Sequence, residues 1–156
     1  MASTKQVHSS ALTASDATQL EELGLVRFDV TGNNRGAYVY VQAESSIAKG
    51  NVVGWFDSTI ATAMKVTTDY SDLLVKKALG VGLGTISKGH FCYIQFSGLN
   101  TYVSTDASAA AASVLVFNKD MRANLIAAGN EHLAFATAMK VDSGSVCPLV
   151  MLYGAY

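Results

Sequence analysis

The sequence predicts an all-β fold, a compact barrel or sandwich, on two observations. Short segments of alternating or β-branched residues recur along the chain, separated by clusters of Gly, Asn, Asp and Ser. After residue 24 nothing sustains the 3.6-residue period of an amphipathic helix. Many short strands with regular turn signals build barrels and sandwiches. The 156 residues fit one domain. A chain of that size buries roughly 68–70% of its unfolded surface and can make its own core.

Residues 1–14 are rich in Ser, Thr and Ala and read as an extended arm. SDATQLEELG follows. Ser15 or Asp16 can cap, the acidic residues complement a helix dipole, and Gly24 can end the turn, so one short helix is expected over 16–23. The arm with this helix, 1–24, precedes a β domain at 25–156. In LVRFDVT, Val26, Phe28 and Val30 alternate with Arg27 and Asp29, the pattern of a strand with one buried face. TGNNRG suits a hairpin turn into AYVYVQA, 37–43. Further strands are expected at NVVGWF, IATAMKVTT, LVKKALGVGLGT, HFCYIQF, TYVST, SVLVF, MRANLIA, HLAFATAMKV and VCPLVMLY. Four alanines at 109–112 do not hold a helix in water. The single proline, Pro148, marks an edge or a bulge in the last strand.

The hexamer ATAMKV occurs at 61–66 and again at 136–141, 75 residues later. That offset aligns little else. An offset of 62 places Tyr40-Val41 on Tyr102-Val103, Glu44 on Asp106, Val52-Val53 on Val114-Leu115 and Trp55 on Phe117. Past a shorter loop the offset becomes 55, and Ile86 meets Val141, Gly89 meets Gly144 and Cys92 meets Cys147. Residues 38–98 and 100–154 therefore read as two copies of one β unit. The hexamer itself is coincidental in that register. Two copies cannot form a solenoid but can close a pseudo-symmetric barrel or sandwich.

Charged residues make up 15% of the chain, against about 25% in typical domains, and the net charge is −1. No basic surplus faces a nucleic-acid backbone, so no nucleic-acid partner is expected. No window of about 18 apolar residues exists and the first residues lack an apolar run, so no membrane partner is expected either. A small charge complement suits a surface covered by other proteins.

No constellation for chemistry stands out, and no catalytic, cofactor or metal residue is assigned. His90 and Cys92, two apart, would share a strand face and could pair, but two ligands are half of a zinc site. Asp69 and Asp72 flank Tyr70 in what reads as a solvated loop. G-V-G-L-G, 80–84, lacks the following helix of a dinucleotide fingerprint. Its glycines instead leave one strand face flat, for a backbone or for a bulky neighbour such as Trp55 or Phe56. Tyr38, Tyr40, Tyr93, Tyr102, Tyr153 and Tyr156 suit strands, in a core or on a sheet surface. Cys92 and Cys147 read as small buried hydrophobes, with no disulfide expected.

The ordered phrases AESSIAKGNVVGWFDST, ALGVGLGTISKGHFCYIQFSG, VSTDASAAAASVLVFNK and LAFATAMKVDSGSVCPLVMLYG resemble the capsid decoration, or cement, proteins of tailed bacteriophages. Ile47, Gly50, Val52, Val53 and Gly54 carry the first phrase, and Gly80, Val81, Ile86, Gly89, Ile94 and Gly98 the second. The third departs, with Ala112 where a glycine is usual, and the fourth has Phe135-Ala136 in place of Gly-Val. The resemblance covers about 38–154. It implies a barrel or β-tulip-like domain, no enzymatic activity, and no cofactor. It also implies homotrimers on the outer face of the major capsid protein, in a virion built in the host cytoplasm. A head-fibre base, neck or tail component would use the same strand grammar. The arm would then contact a neighbour or the capsid, and removing residues 1–22 would leave the β domain folded.

Overall fold

The computed structural model describes residues 10–31, 34–56, 64–69, 78–106, 110–117, 122–125, 134–140, 146–147 and 150–153. Among them the fold is all-β. Its strands are β1 (Val26–Asp29), β2 (Arg35–Ala43), β3 (Val52–Trp55), β4 (Lys65–Thr67), β5 (Ala78–Gly82) and β6 (Phe91–Asn100) in the first half. The second half holds β7 (Val103–Ser104), β8 (Val114–Phe117), β9 (Ala123–Leu125), β10 (Ala134–Ala138), β11 (Val146–Cys147) and β12 (Val150–Tyr153). Pro148 lies outside the described residues, in the interval between β11 and β12.

Five strands of the first half close on themselves. The circuit runs β2, β4, β3, β5, β6 and back to β2, with only the β2–β4 contact parallel. Alternation explains the closure, because successive side chains point into and out of the barrel. Val39, Val41, Val53, Val66, Leu79, Cys92 and Ile94 fill the interior.

The second half repeats this circuit pair by pair. Val52 faces Val81, Val53 faces Gly80 and Gly54 faces Ala78, with Leu79 skipped at a bulge. In the later copy Val114 faces Thr137, Leu115 faces Ala136 and Val116 faces Ala134, with Phe135 skipped. The Val41–Cys92 and Gln42–Phe91 pairs return as Val103–Cys147 and Ser104–Val146. Even the parallel contact of Ala43 with Val66 returns as a single Thr105–Ala123 bridge. The interior residues Val41, Val53, Val66, Leu79 and Cys92 have Val103, Leu115, Ala123, Phe135 and Cys147 as counterparts, all buried. One ion pair is repeated: Lys65–Glu44 at 3.0 Å and Arg122–Asp106 at 2.9 Å.

The phrase turns recur as well. Asn51 N–H donates to Ala48 O, His90 N–H to Ser87 O and Ser113 N–H to Ala110 O, at 3.0–3.1 Å. Each turn needs a left-handed residue, supplied by Gly50 at φ +83°, Gly89 at +82° and Ala112 at +65°. Ala112 thus keeps the glycine conformation without being glycine. Its equivalent in the fourth phrase, Gly144, lies outside the described residues.

Strand β6 joins the halves. It stays on β2 throughout, but on its other edge it faces β5 at Ile94–Gln95 and β12 at Ser97–Asn100. Val52, Ala78 and Val81, on the outside of the first barrel, cluster with Ala136, Val150 and Leu152 of the second half.

Two expectations change. Residues 16–23 hold no helix. The would-be caps are engaged elsewhere: Asp16 exchanges backbone hydrogen bonds with Phe91, and the Ser15 hydroxyl sits 3.0 Å from His90 Nδ1. So short a helix has too little intrinsic stability to compete. Gly24, at φ +84°, does make the expected sharp turn. The described part of the arm also does not stand away from the barrel. Leu12, Leu23 and Leu25 pack with Phe91 over Tyr38, Tyr40 and Tyr93, each fully buried.

Two outcomes are expected. Deleting residues 1–22 uncovers the tyrosines and should cost at least ~3 kcal/mol, about 6–12 °C in Tm. A truncated chain with unchanged Tm in a thermal melt would refute the arm's role as a cover. Ala112→Gly, at an exposed site, relieves left-handed strain and should stabilise by ~0.5–1 kcal/mol, read as a small rise in the urea midpoint.

Candidate functional site

Among the described residues, the candidates for chemistry are not assembled into a reacting centre. Cys92 points into the first barrel, fully buried, and burial pushes its thiol up to about 12. A thiol held protonated is a poor nucleophile. His90 precedes β6, and its Nδ1 lies within 3.3 Å of both the hydroxyl and the carbonyl of Ser15 in the arm. The pair therefore splits between a barrel core and an arm contact. Cys147 is the buried counterpart in the second half, and neither cysteine is in a disulfide. Asp69 N–H donates to Thr67 Oγ1 at 2.9 Å, while Tyr70 and Asp72 lie outside the described residues. No group of three or more metal-ligating side chains occurs among the described residues. No helix long and apolar enough to cross a membrane occurs among them.

The glycines of GVGLG do admit close neighbours, but other ones than Trp55 and Phe56. A Cβ at Gly80 would lie 2.1 Å from Gln95 O, one at Gly82 2.7 Å from Ile47 Cγ2, and one at Gly84 2.6 Å from Thr13 O. These glycines seat β6, a core side chain and the arm. Trp55 packs at the margin of the barrel core instead.

The tyrosines form one layer between barrel and arm. Tyr40 and Tyr93 are tilted at 5.1 Å between ring centroids, and Tyr40 stacks with Phe91 at 6.3 Å. Their hydroxyls are satisfied from the arm and the β1–β2 turn. Leu20 N–H donates to Tyr40 Oη at 3.2 Å, Tyr38 Oη donates to Asn34 O, and Tyr93 bonds Glu21. Desolvation pushes Tyr38 and Tyr93 up to about 12 and raises Tyr40 as well. Glu21 also accepts from Ser10 N–H at 3.0 Å, and Asp16 from Ser10 Oγ at 2.5 Å, which ties the arm to itself. Tyr102 is partly exposed with Lys49 Nζ 4.6 Å above its ring. The side chain of Tyr153 and all of Tyr156 lie outside the description.

The surface feature that stands out is β1. Its alternation was expected to bury Val26, Phe28 and Val30, yet Phe28 is 76% exposed and Val30 80%. The apolar face exists, but no described residue covers it. Beside it runs an open groove of about 450 Å³, floored by Gly36, Ala37 and Ser97 and edged by Phe28, Val30 and Arg35. Among the described residues β1 is also the end of its sheet, paired only with β2. The sequence signal for this surface was the VRFDV alternation itself. What it lacked was the knowledge that the strand lies at an edge.

Comparison of the chain with protein-family models and with curated proteins finds no match. Among solved structures it is similar to the head fibre gp8.5 N base of bacteriophage phi29, with a TM-score of 0.54 and 12% sequence identity. The likeness covers 76% of this chain and 96% of that one. At that identity it establishes a shared fold.

The buried tyrosines and thiol make a pH prediction. Folded-state pKa values raised above about 9 for Cys92 and about 10 for the tyrosines leave their stabilisation intact below pH ~9. It is lost as pH climbs toward 12, because the unfolded chain then releases protons that the folded chain retains. Melting temperature followed by circular dichroism should be flat from pH 7 to ~9 and fall steeply above. Tyr93→Phe, with one titrating group fewer, should fall less steeply. A flat profile to pH 12 would mean the layer is wet.

Proposed function

We propose that this chain is a structural component of a bacteriophage virion, serving as the base of a head fibre. The observation that carries this reading is the fold shared with the phi29 head-fibre base, which extends over nearly all of that base. Other features support it. The chain's charged fraction is low, and both cysteines are buried. A surface built for holding rather than reacting suits a non-enzymatic particle protein.

A second reading, a decoration protein on the outer face of the major capsid protein, is favoured by the phrase turns. Ile47 and Ile86 bridge each other, and three equivalent left-handed turns follow the cement-protein phrases. In either role a ligand that binds only the assembled shell would stabilise it by mass action.

Quantitative mass spectrometry of purified particles tests both. A fibre base should be present well below the coat protein in copy number. A ratio near one, or near a third, would shift the assignment to the decoration layer. Absence from the particle would overturn both readings.

A further inference from the structure

We infer that the open edge of β1 is a self-association site, where a second copy of this chain pairs its own β1 antiparallel about a two-fold axis at Phe28. Three observations select this occupant and this register.

The first is the direction of the backbone groups. Tyr40 N–H donates to Leu25 O at 2.9 Å, so the carbonyl of Leu25 faces β2. Alternation then turns Arg27 and Asp29 toward β2 and leaves the N–H and C=O of Val26, Phe28 and Val30 facing the free edge. An axis at Phe28 makes the two Phe28 residues a hydrogen-bonded pair. It pairs Val26 with the second copy's Val30 in the same way.

The second is charge. VRFDV is complementary to its own reverse. With the axis at Phe28, Arg27 of each copy lies opposite Asp29 of the other, giving two cross-strand ion pairs. An axis at Arg27 or at Asp29 would set like charges opposite each other and use backbone groups already directed at β2. One register satisfies both conditions.

The third is the apolar row. Phe28 and Val30 are the two most exposed of the large hydrophobic side chains described. Pairing sets the two rows side by side on one face of a continuous sheet, and it removes the unpaired edge that single sheets must otherwise protect. A two-fold contact of this kind is isologous, with each residue meeting its counterpart. The trimer implied by the decoration-protein resemblance needs a different contact.

Analytical ultracentrifugation of the purified chain tests the inference without any virus particle, so its failure leaves the virion reading standing. The wild type should sediment as a dimer at high concentration. R27D places Asp opposite Asp and D29R places Arg opposite Arg, so each should weaken the dimer about ten-fold or more. An equimolar mixture of R27D and D29R should recover association as a heterodimer, and the double variant R27D/D29R should recover it alone. F28P removes the edge-facing N–H together with the exposed phenyl ring and leaves the groups bonded to β2 in place, so it should remain folded by circular dichroism and sediment as a monomer. A monomeric wild type, a trimer, or a dimer indifferent to both single charge reversals would overturn the inference.

Discussion

Strand β6 must serve two sheets at once, and the rest of the molecule is arranged around that requirement. It keeps β2 along its whole length while exchanging β5 for β12 between Gln95 and Ser97. The exchange demands an abrupt change of backbone direction. The β2–β6 ladder skips Phe96 at this point, and just beyond it Gly98, at φ +96°, sits where only a residue without Cβ fits: a Cβ would lie 2.1 Å from Arg35 O. Its ladder partner Gly36 is as crowded, with Ser97 O 1.8 Å from where a Cβ would be. Carbonyls freed by the exchange are collected by one buried side chain. Gln95 Nε2 donates to Leu99 O at 2.8 Å and lies within 3.4 Å of Ser97 O and Arg35 O. Its Oε1 accepts from Asn100 Nδ2 at 2.8 Å, and Asn100 Oδ1 accepts from Tyr102 N–H at 2.7 Å. Leaving such groups unpaired in a buried site costs about 1–3 kcal/mol each, so this network fixes where β6 leaves the first barrel for the sheet of the second half.

The strands themselves were readable because alternation and turn residues are local signals. Val52–Trp55 and Val114–Phe117 are strands separated by the offset of 62 read from the sequence. The later offset is less regular, since the pairings relate β5 to β10 by 56 and Cys92 to Cys147 by 55. A bulge or inserted residue is invisible to periodicity until partners are known. Ala112 was readable as a departure from a glycine pattern, and its positive φ gives that departure a physical meaning.

What escaped the sequence was decided by tertiary competition. SDATQLEELG carries helix signals, but Ser15 and Asp16 gain more from His90 and Phe91 than from a one-turn helix. GVGLG announced close approach without saying to what, and the answer came from Gln95, Ile47 and Thr13, distant in the chain. The apolar face of β1 was visible as alternation, whereas its exposure depends on lying at a sheet edge. His90 and Cys92 show the converse. Spacing put them together, and a barrel wall and an arm took them apart.

What the described residues offer a partner is shape and surface. The first barrel is filled around a protonated Cys92 thiol, the arm covers the tyrosine layer, and the two most exposed large apolar residues described, Phe28 and Val30, lie at the β1 edge. A particle component with these properties would contribute rigid geometry to its neighbours. The most direct measurement is a difference map from cryo-electron microscopy between particles with and without this protein. The account predicts added density outside the head shell, of a size to hold the paired barrels. Identical maps, or added density confined to the particle interior, would contradict it.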